Sequence, residues 1–71
     1  MKTREMLETM AGAGYPIKLV AAQSGVSYMR VFRYLRRGGA LSPDDKARLW
    51  RFAVMQPPIA AALDIEIEEG G

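Results

Sequence analysis

Seventy-one residues allow a single domain, and a chain this short buries only a modest share of its surface. It contains no Cys and no His, which excludes disulfides, thiolate metal sites and the commonest general base. The net charge of +2 conceals an asymmetry: residues 1–58 carry ten Lys/Arg and four Asp/Glu (net +6), whereas residues 59–71 carry four Asp/Glu and no base (net −4). A basic body with a short acidic tail points toward a polyanionic partner.

The first segment, TREMLETMAGAG, reads as a short helix with Met6, Leu7 and Met10 on one face and Gly12 and Gly14 as its stop. YPIKLVAAQSG starts a second helix with Pro16 at its first position, an apolar side of Leu19, Val20 and Ala21, and Gly25 as terminator. A third helix over 28–37 follows, with Ser27 as N-cap, Arg36 and Arg37 suited to the dipole of the last turn, and Gly38 and Gly39 beyond. LSPDDKARLWRFAVMQPP carries the clearest helix start. Ser42 is the cap, Pro43 takes the first position, and Asp45 completes a capping box. Leu49, Phe52 and Ala53 share its inner face, and Pro57 and Pro58 end it. The remainder, IAAALDIEIEEGG, fits either a short strand, through its Ile-Glu alternation, or a short helix.

The expected fold is all-α: a compact bundle of about four short helices over residues 1–58, plus an acidic tail at 59–71 that, with the last helix, is the candidate dimerising segment. No apolar run approaches the roughly 20 residues that span a bilayer, and the first residues lack the apolar core of a secretion signal. A cytoplasmic protein without a membrane partner is therefore expected.

The second and third segments are joined by a very tight turn at Gly25, the arrangement of a helix-turn-helix, whose second helix can enter a major groove. At about 100° per residue, Tyr28, Val31, Tyr34 and Leu35 fall on one side of helix 28–37. Met29, Arg33 and Arg36 fall opposite, Phe32 and Arg37 flank them, and Arg30 stands at the other shoulder. No acid lies between Glu8 and Asp44. A merely solvated helix gains from mixing charge signs at i,i+4 spacing. This face does not mix them, so it reads as aimed at an anion.

VAAQSGVSYMRVFRYLR resembles the helix-turn-helix of bacterial and phage repressors, of both the Cro/repressor and the lactose-repressor type. The resemblance covers about residues 16–37. It lies in Ala21 in the middle of the first helix, Gly25 four residues on, Val26 next and Val31 five further. GVSY followed by Val31 and Arg33 is especially close to the lactose-repressor pattern. Ser24 and Tyr34 depart from it, standing where small apolar and branched apolar residues are usual. The resemblance implies a DNA-binding regulator of the phage or plasmid type, without the sugar-sensing domain of lactose-type repressors. It also implies that Tyr28, Met29, Phe32 and Arg33 contact bases. Ser27, Arg30, Arg36 and Arg37 are assigned to phosphates, which position a protein without reading sequence.

The expectation that follows is a repressor binding double-stranded DNA as a homodimer at an inverted repeat. Two alternatives stay open: an excisionase-like architectural factor, and a protein-binding inhibitor or adaptor. No nucleophile–base pair, phosphate loop or metal-ligand cluster is visible, so no enzyme, cofactor, metal or small-molecule effector is expected. Trp50 is assigned to the core or to a dimer interface.

Overall fold

A computed structural model describes residues 1–70 and, on the last helix, side chains up to residue 68. The Glu69 side chain and Gly71, both counted in the acidic tail, lie outside the described residues. The described chain is all-helical: α1 Thr3–Gly12, α2 Ile17–Ser24, α3 Tyr28–Arg37, α4 Pro43–Ala53 and α5 Pro57–Gly70. No helix among the described residues is long and apolar enough to cross a membrane. The radius of gyration is 11.9 Å, close to the ~11 Å expected of a folded chain of this length.

One core is shared by all five helices. Met6, Leu7 and Met10 of α1 meet Val20 and Ala21 of α2, Val31 of α3, Leu49 and Ala53 of α4, and Ile59 of α5; Val26 and Leu41 close it from the connections. Leu19, expected on the inner side of α2, is instead 42% exposed. A helix of only eight residues has room for one buried stripe, and Val20 and Ala21 fill it.

The helix ends follow local chemistry. Pro16 stands one residue outside α2, at its N-cap position. Gly25 takes the left-handed conformation (φ 72°, ψ 30°) that other residues adopt at a cost. It turns the chain so that the Val26 N–H donates to the Ala21 carbonyl at 3.0 Å. The Ser42 hydroxyl accepts the Asp45 N–H at 3.0 Å, a cap worth about 1 kcal/mol. Only this half of the predicted capping box forms, because the Asp45 carboxylate turns toward α3.

The tail is the largest correction. Neither Pro57 nor Pro58 ends α4, which stops at Ala53 as the Val54, Met55 and Gln56 N–H groups fold back onto Trp50, Phe52 and Ala53 carbonyls. Both prolines open α5, where the first-turn N–H groups are not needed. The expected four helices plus a tail become five helices, and the sequence boundary at 58/59 falls inside α5. Ile59 is fully buried and Leu63 packs against the core, so α5 is part of the fold. Its far end is tied to the start of the chain, where the Met1 amino group lies 3.1 Å from the Glu66 carboxylate.

Candidate functional site

The sequence places its chemistry on α3, and the fold holds that helix from one side. Val31 is fully buried, and Tyr28, Tyr34 and Leu35 pack against the core. Met29, Arg30, Arg33, Arg36 and Arg37 are exposed. The expected division of faces is therefore the observed one. Ser27 occupies the N-cap position with extended backbone, but its hydroxyl makes no bond to the helix start.

Phe32, placed on the flank by angle, is half-buried among side chains of the outer surface. Its ring lies 6.0 Å from that of Tyr28, tilted by 45°. The Arg36 guanidinium stands 5.8 Å from the Phe32 centroid, and the Lys18 ammonium 5.7 Å from the Tyr28 centroid. Lys18, Tyr28, Phe32 and Arg36 thus form a continuous cation–aromatic row, each cation favoured by a ring face. Beside the row, Ile17 and Leu35 complete the walls of a cleft of about 200 Å³. The row brings α2 into a surface that sequence reasoning assigned to α3 and the residue before it. Lys18 gave no signal in the sequence, because nothing in linear spacing puts it beside Tyr28.

The arginines divide by what they touch. Arg33, Arg36 and Arg37 face solvent, and among the described residues no acid pairs with them. Arg30, predicted as a phosphate contact, lies 3.2 Å from the Asp45 carboxylate of α4. Asp45 is only 5% exposed, and its Oδ2 has no partner with hydrogen-bond geometry; the Arg30 charge and the position of Asp45 in the first turn of α4 offset the burial. The acid-free stretch along the chain is thus not acid-free in space. Arg30 is still more than half exposed, which leaves part of its guanidinium available to a second anion.

Two more arginines are structural. Arg4 donates from Nη1 to the Leu35 carbonyl at 3.0 Å and from Nη2 to the Tyr34 carbonyl at 2.7 Å. Its guanidinium also covers the Tyr34 ring at 5.1 Å. A fork of donors therefore satisfies two of the carbonyls that the end of α3 leaves without helical partners. Arg48 donates from Nε to Asp44 at 3.0 Å and reaches the Gly25 carbonyl at 3.5 Å, linking α4 to the α2–α3 turn. Ser24 and Tyr34, the two departures from the repressor pattern, have different fates. The Ser24 Oγ is buried without a partner, while Tyr34 supplies both a ring and a carbonyl to Arg4.

Trp50 is half-buried against the core and donates its indole N–H to the Thr3 hydroxyl at 3.1 Å. It joins α4 to α1 within one chain. No family model, curated protein or solved structure matches the chain.

Proposed function

We propose that the chain is a sequence-specific double-stranded-DNA-binding regulator, a repressor in its simplest form. In this reading α2 and α3 act as a helix-turn-helix, with α3 in the major groove. The observation that carries it is the outer face of α3, where Arg33, Arg36 and Arg37 stand exposed, unpaired by any acid among the described residues, while Val31 anchors the opposite face. Arginine is the best reader of guanine O6 and N7, and phosphates supply the counter-charge that the described residues do not place beside these three side chains.

The reading assigns base contacts to Tyr28, Met29, Phe32 and Arg33, and phosphate contacts to Ser27, Arg36 and Arg37. The outer edge of Arg30 joins the phosphate group while its inner edge keeps Asp45. Lys18, beside Tyr28, adds a further backbone contact. One such helix reaches only a few base pairs, so two copies at an inverted repeat, with half-sites about one turn apart, give a useful site. Occlusion of a promoter is then sufficient for repression.

Selection of bound sequences from a random duplex pool tests this directly. An inverted repeat is the expected product. Tandem direct sites would favour an architectural factor. No enrichment above the starting pool, at low salt, would refute sequence-specific binding.

A further inference from the structure

Leu19 and Met29 aside, the large exposed apolar side chains form two groups, one at each end of α5. Val54 and Met55, in the turn before it, are 43% and 77% exposed; Ile65 and Ile67, near its far end, are 55% and 70% exposed. Ala60, Ala61 and Ala62 lie between the groups. Ala61 and Ile65 each stand two residues from Leu63, about 200° round the helix from it, and so face away from α1. Ile67 continues the row of Ile59 and Leu63. It lies past Glu66, which already meets the start of the chain, and α1 no longer covers it.

Charge is polarised in the same direction. Asp64, Glu66 and Glu68 are exposed at the far end. At the near end Arg51 is exposed and, with Phe52 and Met55, lines a cleft of about 290 Å³. Nucleic acid does not suit the α5 face, because three carboxylates repel phosphate.

We propose that this face binds a second copy of the chain, with the two α5 helices antiparallel across a two-fold axis at Ala61. The axial residue must be small for the helices to approach, and Ala61 is. Counting outward, Ile65 then meets the partner's Pro57, while Ile67 stays on the Leu63 side, outside the contact. Glu68, on the same side as Ala61, approaches the partner's α4–α5 turn, the end at which Arg51 is exposed. Each contact occurs twice, as a self-complementary interface requires. Parallel pairing would set the acidic ends against each other. The proposal shares with the DNA-binding reading only the need for two copies, and it is measured without DNA.

A chain without cysteine makes the test specific. Under mild oxidation, full-length Ala61→Cys should form a disulfide-linked dimer, whereas Ala11→Cys, exposed on α1, should not. In sedimentation at micromolar concentration the unmodified protein should be a dimer and Ile65→Glu a monomer. Arg51→Glu should weaken association about tenfold or more, and adding Glu68→Arg to it should restore association. Circular dichroism melts of each variant separate loss of contact from loss of fold. A monomeric parent protein, equal cross-linking of both cysteine variants, or a dimer indifferent to a folded Ile65→Glu overturns the interface. A dimer that meets every expectation yet selects no DNA leaves the interface standing and removes the DNA-binding reading instead.

Discussion

Helices α3 and α5 each sink one face into the same core and leave another bare. On α3 the anchor is Val31, and the bare face is Met29, Arg33, Arg36 and Arg37. On α5 the anchor is Ile59, and the bare face is Ala61 and Ile65, bordered by carboxylates. The two also differ in how firmly they are held. Both ends of α3 are fastened, by the Arg30–Asp45 pair near its start and by the Arg4 fork and the left-handed Gly38 at its end. Beyond Leu63, α5 has one polar tie among the described residues, Glu66 to Met1. An exposed cationic face is stable in water and gains from an anion. An exposed isoleucine face gains only from cover, so the two helices ask for different partners.

The sharpest way to break this comparison is to ask whether α5 is fold or appendage. Ile59→Ala should destabilise the protein by about 2–5 kcal/mol, since it opens a cavity at a fully buried site. Chemical denaturation measures it. Removing residues 59–71 should unfold most of the chain, whereas removing residues 64–71 should leave a cooperative transition.

Next in size is the fastening of α3. Arg4→Met should cost roughly 1.5–3 kcal/mol, because two charge-assisted hydrogen bonds to Tyr34 and Leu35 are lost at a partly buried position. Amide exchange at the end of α3 should accelerate. Unchanged exchange there would show that the fork is not what holds the helix end.

The outer face of α3 is read by binding. Arg33→Ala should lower affinity for the selected site by roughly 1–3 kcal/mol and relax preference at one base pair per half-site, without shifting the melt. If the ratio of selected to scrambled DNA is unchanged, Arg33 is no reader. Arg37→Ala should weaken all sequences about equally and make the salt slope shallower by about one unit. The smallest effect is expected at the start of α4, where Ser42→Ala should cost about 1 kcal/mol in the melt and leave α3 intact.

Four helices were legible because their ends carry local chemistry. Gly25 and Gly38 stop helices by left-handed turns, and Ser42-Pro43 starts one. The division of α3 into two faces was also legible, since it needs only the helical period. The fate of α5 was not. Two prolines read equally well as a stop or as a first turn, and the difference lies in the three residues before them, which turn the chain. Ile65-Glu66-Ile67 alternates as a strand would, yet a strand needs a neighbour to pair with, and the described residues contain none. The Arg30–Asp45 pair and the Arg4 fork join residues 15 and about 30 positions apart. Contacts of that kind have no local signature. Only the closed bundle brings them together.

Helix α1 gives Met6, Leu7 and Met10 to the core and also touches both outward-looking helices. It holds the end of α3 through Arg4 and lies against α5, with Met1 at Glu66. At ten residues it is about 15 Å long, and no flexible linker separates the two surfaces it joins. In a dimer closed at α5, α1 is therefore a strut of set length. In that proposed dimer the gap between the two α3 helices would be dictated by architecture, and the pair would act as a calliper with a single opening. One base pair inserted between half-sites rotates the second by about 34° and moves it about 3.4 Å. If both proposals hold, such a calliper would meet that change by losing one of its two grips.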